Sequence, residues 1–232
     1  TAFEISLGLV GSEMCIRDSP NSSRSFESGL SLMSAENTMP MVSAIITTHN
    51  RSHLLDRAIE SVLKQTYGRY ELIVVDDASS DRTPEILHQY EIAGSLRVVR
   101  IEVSRGANHA RNQGTSVASG EYLAFLDDDD VWMPEKLGRQ IQVFQSSNNV
   151  VLVGSWYMKG EILEKGPNVV PYSALLSDNV LGSFSNCMFR KNDVEFIGGM
   201  DESLQNAQDW DLWLRLGELG NILVAQECLV NY

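Results

Sequence analysis

Between Met41 and Phe144 the chain switches repeatedly between two apolar periods, and that alternation restricts its fold more than any other feature. Val42 to Thr47 (Val-Ser-Ala-Ile-Ile-Thr) is short, mostly apolar and rich in β-branched residues, the pattern of a buried strand. Leu54, Leu55, Ala58, Ile59, Val62 and Leu63 recur at helical spacing and mark a helix with one apolar stripe. Glu71 to Val75 predicts a second strand, and Thr83-Pro84 offers an N-cap followed by proline at the first helical position. Leu96 to Glu102 predicts a third strand, and Ala107 to Ala118 a helix stopping near Gly120. Glu121 to Leu126 predicts a fourth strand, and Pro134 opens a helix through about Phe144. Such alternation implies parallel βαβ units. The expected fold is α/β, a Rossmann-like sandwich with a mostly parallel central sheet and helices on both faces. After Gly154 the pattern loosens. Lys159 to Ser183 reads as loops and short elements, Asn186 to Arg190 as a strand, Asp209 to Leu219 as a helix, and Val224 to Tyr232 as a strand entering further structure.

In open sheets of this kind ligands bind outside the carboxyl ends of the strands. Thr47 to Arg51 follows the first strand, Asp76-Asp77 the second and Asp127 to Asp130 the fourth, so three polar clusters are expected on one rim. Four consecutive carboxylates repel: two charges about 4 Å apart cost about 4 kcal/mol at an effective dielectric of about 20. Mg²⁺ or Mn²⁺ removes that cost, because both prefer carboxylate, phosphate and water oxygens. On an extended segment Asp127 and Asp129 point one way and Asp128 the other. Asp127 and Asp129 are therefore the candidate metal ligands and Asp128 a candidate acceptor for a hydroxyl, while Asp130 is expected to lead the next helix without a chemical role. The bland alternative is a solvated acidic turn. A calcium loop is disfavoured, because the D-x-D-x-D-G spacing is absent.

Charge narrows the partners. The 232 residues carry a formal net charge of -13, with no Lys/Arg run, which argues against nucleic acid and against electrostatic docking on an anionic membrane. Cys15, Cys187 and Cys228 form no C-x-x-C pair and read as reduced thiols of a cytoplasmic protein. No apolar run reaches the roughly 18 residues that span a bilayer. Any association with the cytoplasmic face of a membrane is expected through regions beyond this sequence. Residues 1–39 are Ser-rich, aperiodic and begin without Met, so a disordered leader is expected. Within it, Val10-Gly-Ser-Glu-Met-Cys-Ile-Arg-Asp-Ser19 resembles the translation of a transposon-end sequencing adaptor. Residues 40–232 are expected to form one domain that continues past Tyr232.

Five ordered blocks carry a resemblance. They are Val42-Ser-Ala-Ile-Ile-Thr-Thr-His-Asn-Arg51; Val74-Val-Asp-Asp-Ala-Ser-Ser-Asp81; Arg105-Gly-Ala-Asn-His-Ala-Arg-Asn-Gln-Gly114; Gly120-Glu-Tyr-Leu-Ala-Phe-Leu-Asp-Asp-Asp-Asp130; and Gly198-Gly-Met-Asp-Glu202 with Gln208-Asp-Trp-Asp-Leu-Trp-Leu-Arg215. In this order they resemble the family 2 glycosyltransferases of the GT-A fold, inverting enzymes that use nucleotide sugars. The resemblance implies that Thr47, His49 and Arg51 contact the nucleotide, and that Asp77 bonds the base of a UDP- or dTDP-sugar. It further implies that Arg111 meets the nucleotide or diphosphate, that Asp127-x-Asp129 holds Mn²⁺ or Mg²⁺, and that Asp128 lies near the ribose or sugar. The implied acceptor is a hydroxyl of a glycan or lipid-linked molecule, in cell-surface polysaccharide synthesis.

Inverting transfer also needs a carboxylate base, which the family places near the start of a late helix, where Asp209 and Asp211 stand. At 3.6 residues per turn Asp209 shares the side of Leu212, Trp213 and Leu216, and Asp211 lies nearly opposite. Asp209 is therefore the expected base, at a helix end whose dipole favours negative charge. Gln208 stands where many relatives have Glu; Asp201 and Glu202 are outside candidates. Two other readings remain: a catalytically inactive nucleotide-sugar-binding module, and a nucleotidyltransferase. The latter is disfavoured because no Gly-rich basic loop follows the first strand. His109 is expected as an ordinary helix residue and Trp213 as packing.

Overall fold

A computed structural model describes residues 39–232. The expected leader, its adaptor-like stretch and Cys15 lie outside the described residues. Four strands form the first half of the sheet: β1 (Val42–Thr48), β2 (Tyr70–Asp77), β3 (Arg97–Ile101) and β4 (Tyr122–Asp127). They pair in parallel in the order β3-β2-β1-β4. The register sets Thr47 beside Asp127 and Thr48 beside Asp76, which gathers the carboxyl ends of β1, β2 and β4. The crossovers are α1 (Ser52–Leu63), α2 (Thr83–Ile92) and α3 (Ala107–Val117).

Strand alternation splits the core in two. Ala44, Ile46, Val74 and Leu126 face α1 and α2, packing with Leu55, Ile59 and Leu87. Ile45, Ile73, Val75 and Phe125 face the other way with Ala110 of α3. Each fully buried Ile or Leu contributes about 1.5–3 kcal/mol relative to exposure, and both faces of the sheet are covered as expected. Two glycines set close approaches. A Cβ at Gly114 would lie 2.6 Å from Ile45 Cγ2, and one at Gly120 would lie 2.6 Å from the Ser43 backbone nitrogen.

The second half is less regular. It comprises β5 (Val131–Trp132), α4 (Lys136–Ser146), β6 (Val150–Lys159), β7 (Ile162–Glu164), β8 (Val169–Val170), α5 (Tyr172–Leu175), a 3₁₀ turn at Phe184–Asn186, β9 (Met188–Arg190), α6 (Lys191–Phe196), α7 (Gln208–Gly217) and β10 (Asn221–Asn231). β9 runs antiparallel to both β4 and β6 and stitches the halves together, while β6 and β10 pair in parallel. Several boundaries differ from expectation. Asn186 sits in the 3₁₀ turn and not in a strand, Thr83 is the first helical residue and not the cap, and α4 opens at Lys136. α7 ends at Gly217, short of Leu219. No helix among the described residues is long and apolar enough to cross a membrane.

Candidate active site

The loop after β1 is shaped by Asn50, which adopts φ 55°, a region that Asn tolerates better than most residues. Its backbone nitrogen donates to Ser79 Oγ at 2.9 Å, and its side-chain oxygen accepts from the Ser80 nitrogen at 2.7 Å and the Asp81 nitrogen at 3.3 Å. Asp81 in turn accepts from the backbone nitrogens of Ser52 and Thr83, each at 2.9 Å. Burial pushes the Asp81 carboxyl up, but these bonds outweigh it and hold the group well below the usual carboxylate range. The loops after β1 and β2 are thus one hydrogen-bonded unit. It fixes His49, whose Nδ1 lies 2.5 Å from the Asp77 carbonyl oxygen, and Arg51 on the other side of Asn50.

The adjacent aspartates of β2 diverge. Asp76 turns toward Arg100, with which it pairs, and accepts from the Ser79 nitrogen at 2.9 Å. Asp77 turns toward the rim, where its carboxylate accepts from Ser104 Oγ at 2.7 Å, the Arg105 nitrogen at 3.1 Å and the Gly106 nitrogen at 3.0 Å. Asp77 therefore organises the loop that enters α3.

The acidic run departs from the expected strand alternation. β4 ends at Asp127 and the chain turns, with the Asp130 nitrogen donating to the Asp127 carbonyl at 3.1 Å. In a turn the two-residue period no longer holds, and the pair sharing a counter-charge is Asp128 with Asp129: Arg51 Nη1 reaches them at 3.1 and 2.7 Å. Asp127 is paired separately with Arg111 at 2.6 Å. Asp128 is buried, and burial pushes its carboxyl up against the opposing pull of the Thr48 hydroxyl and Arg51. The Arg51 guanidinium is pushed up in turn, chiefly by Asp128. Asp130 does not lead a helix; it precedes β5, is buried, and is pushed up to about 7 by burial against the pull of the Ser185 hydroxyl.

Arg111 is a buried hub. Its guanidinium lies 4.0 Å from the centroid of the Phe184 ring, bonds Asn108 at 3.3 Å and touches Gln208 Oε1 at 3.4 Å. Its Nε has no hydrogen-bond partner in the protein. Such a cation–π contact suits the flat guanidinium.

One cavity of about 470 Å³ is lined by Thr47, His49, Arg51, Asp77, Arg111, Asp127, Asp128 and Asp129, with Thr48, Ser104, Gly106, Ala107 and Ala110. The sequence pattern gives no individual role to Thr48, Ser104 or Gly106, although Thr48 falls in the Thr47 to Arg51 cluster expected on the rim and Gly106 in the third block. Gly106 carried a signal in its position just ahead of α3, where it adopts φ 93°. Asp209 is not part of this lining. It sits in the first turn of α7, where its carboxylate accepts from Asn179 Nδ2 at 3.1 Å. Asp211 is taken up by Arg215 at 2.5 Å, and Arg215 also bonds the carbonyls of Ile197 and Gly199. Trp213 is fully buried and stacks on Phe189, while Trp210 donates to the Leu175 carbonyl at 2.6 Å. Asp201 bonds Ser203, and Glu202 is held by His109 and Asn112, so neither outside candidate reaches the cavity.

No group of three or more His, Cys, Asp or Glu side chains converges as a metal cage among the described residues. The donor set still fits a divalent cation shared with a phosphate: Asp129 is half exposed beside the cavity, Asp127 stands next to it, and Mg²⁺ or Mn²⁺ completes such a set with phosphate and water oxygens.

Comparison with known proteins identifies the family and the fold. Residues 43–197 match the family model described as Glycosyl transferase family 2. TuaG of Bacillus subtilis, provisionally named a teichuronic acid biosynthesis glycosyltransferase, is 33% identical over 206 residues, 84% of this chain and 80% of that protein. WfgD of Escherichia coli, named a UDP-Glc:alpha-D-GlcNAc-diphosphoundecaprenol beta-1,3-glucosyltransferase, is 32% identical over 186 residues, 78% of this chain and 72% of that protein. Among solved structures, S. aureus TarS 1-349 in complex with UDP-GlcNAc superposes with a TM-score of 0.71 at 21% identity, covering 83% of this chain and 58% of TarS 1-349. The mannosyltransferase PcManGT of Pyrobaculum calidifontis, in complex with GDP-Man and Mn2+, superposes with a TM-score of 0.68 at 20% identity, covering 83% of this chain and 56% of that one. The chain thus spans little more than half the length of these two structures, which share its fold. By its matched residues and its relatives, the chain belongs to glycosyl transferase family 2.

Proposed function

We propose that residues 39–232 form the donor-binding and catalytic part of an inverting glycosyltransferase. It moves a sugar from a UDP- or dTDP-sugar to a hydroxyl of a glycan or lipid-linked acceptor, in cell-surface polysaccharide synthesis at the cytoplasmic face. The observation that carries this reading is the convergence of Thr47, His49, Arg51, Asp77, Arg111, Asp127, Asp128 and Asp129 on one cavity. The name of the WfgD relative supports a UDP-sugar donor and a lipid diphosphate acceptor.

The chain's own residues divide the work. His49 and Asp77 flank the inner wall, where a nucleobase edge finds a donor and an acceptor. Asp128 is placed for a ribose or sugar hydroxyl. Arg51 and Arg111 supply the positive charge that a diphosphate needs in a chain of net charge -13. A divalent cation held by Asp127 and Asp129 would stabilise charge on the departing diphosphate. Asp209 takes the proton from the acceptor hydroxyl as its oxygen bonds to the anomeric carbon. The bond from that carbon to the diphosphate oxygen breaks with its electron pair on the diphosphate, and this single displacement inverts the centre. Because Asp209 stands outside the donor cavity, on the helix whose Gln208 touches Arg111, it serves the acceptor side.

Asp209→Asn should lower transfer by about 10²–10⁴-fold while nucleoside diphosphate affinity, read by calorimetry, stays within about threefold. Joint loss of both would assign Asp209 a structural role. A second reading, a binding module of the same fold, draws on the Asn179 contact that occupies Asp209. Release of sugar from the donor by the natural full-length protein separates the two, since a binder releases none.

A further inference from the structure

We infer that Glu202 is a positioning residue that fastens the segment leading into α7 to the donor-side helix α3, so that filling the donor cavity and placing Asp209 are mechanically linked. This rests on the cavity being the donor site and Asp209 the base.

Helix α3 faces two ways. Arg111 lines the cavity, while Asn108, His109 and Asn112 reach the stretch from Gly199 to Glu202. Asn108 Nδ2 donates to the Asp201 carbonyl at 2.7 Å. The Asn112 amide makes a two-way bond with Met200, donating to its carbonyl at 2.9 Å and accepting from its nitrogen at 2.9 Å. Gly199 permits this approach, since it adopts φ 75° and a Cβ there would lie 2.7 Å from Asn112 Oδ1.

Glu202 closes the joint. Its carboxylate accepts from Asn112 Nδ2 at 3.0 Å, meets His109 Nδ1 at 2.9 Å, and lies 3.7 Å from Arg105 Nη2. Asn112 and then His109 hold its carboxyl below the ordinary range. The third partner matters most, because the backbone nitrogens of Arg105 and Gly106 are the ones that grip Asp77 in the cavity. One carboxylate therefore touches the loop that shapes the donor wall and the helix that carries Arg111. Its own backbone belongs to the segment entering α7. Glu202 is not among the residues that line the donor cavity, which its partner Arg105 adjoins through the loop that holds Asp77. The Arg105 side chain is 61% exposed and that of Glu202 37%, and an exposed ion pair of that kind contributes little to global stability. Its effect is expected in the relation between the two sides and not in whether the chain folds.

The test is hydrogen exchange of residues 199–208, with and without Mn²⁺ plus whichever of UDP, dTDP or GDP binds by calorimetry. In the wild type the nucleotide should slow exchange there by about five- to fifty-fold. Glu202→Ala should keep nucleotide affinity within about threefold and its melting temperature within about 3 °C, yet lose that protection. Glu202→Gln keeps an acceptor for Asn112 and should restore most of it, whereas Arg105→Gln should weaken it. Full nucleotide-dependent protection in Glu202→Ala would overturn the inference, as would a parallel loss of nucleotide affinity. If Glu202→Ala does not fold, unchanged protection in Arg105→Gln overturns it equally. If no nucleoside diphosphate binds the wild type, the donor-site reading itself fails.

Discussion

Residues 42–127 and residues 150–231 share one sheet but solve different problems. In the first stretch four parallel strands lie side by side, and backbone register alone delivers Thr47, Asp77 and Asp127 to one rim. In the second, β9 is antiparallel to its neighbours, β10 shifts register against β6, and long connections separate the helices. No register delivers Asp209. It is held by side chains: Asn179 on its carboxylate, Arg215 on the carbonyls of Ile197 and Gly199, and α3 on the segment ahead of it. The contrast teaches that strand register positions the rim residues before any side chain acts, with Asn50, Asp81 and Asp77 then fixing the loops, whereas Asp209 depends on hydrogen bonds between distant segments throughout.

Arg111 is one place where side chains of the two stretches meet, and its removal should have the largest effect. Arg111→Ala leaves Asp127 without its partner, empties the space against Phe184 and strips Gln208 of a contact. A loss of about 3 kcal/mol in denaturant-derived stability is expected, together with loss of nucleotide binding. A change below about 1 kcal/mol would mean that Arg111 adds little to the joint that β9 already makes.

Lys136 sharpens the comparison from beneath the joint. It is fully buried on α4, donates to Gln140 Oε1 at 2.6 Å, and lies 4.2 Å from the centroid of the Trp132 ring. Gln140 spans the carbonyls of Val153 and Asn186. Burial pushes the Lys136 ammonium down from 10.5 to about 7. Between those values the unfolded chain binds the extra proton, so stability rises with pH through that window. The rise should be about 2 kcal/mol from pH 7 to 9, and Lys136→Met should flatten it. Asp130, whose carboxyl is pushed up to about 7, acts with the opposite slope below that window, as folding favours its protonated form. Equal slopes in wild type and Lys136→Met would remove Lys136 from the account.

Gly199→Ala should have the smallest effect on stability, about 1–2 kcal/mol, from positive φ and the Asn112 contact. It tests the asymmetry directly. Exchange should quicken in residues 199–208 and not in the loops after β1 and β2.

Legibility followed the same division. Strands β1 to β4 are legible as short apolar runs and α1 as an apolar stripe, and the rim follows from the rule for parallel sheets, whereas the two-residue β5 carries no such signal. The ten-residue strand β6 was not read, and Asn186 was placed in a strand although it belongs to a 3₁₀ turn. Those elements depend on partners distant in sequence, such as β10 for β6 and Ser155 for Asn186. In the acidic run the residues were identified, but strand alternation misjudged the pairing, because the turn at Asp128-Asp129 hands both carboxylates to Arg51. Neither Ser185, which accepts from the Asp127 nitrogen at 3.0 Å, nor Asn179 beside Asp209 could be found from spacing.

The central claim is that the cavity takes a nucleoside diphosphate together with a divalent cation on Asp127 and Asp129. Calorimetric titration of UDP and dTDP, each with Mn²⁺ and with chelator, tests it most directly, in the wild type and in Asp129→Asn. The account predicts that removing the metal weakens wild-type binding by about tenfold or more and that Asp129→Asn shows no such difference. Equal affinity in the wild type with and without metal, or no binding of either nucleotide, would contradict it.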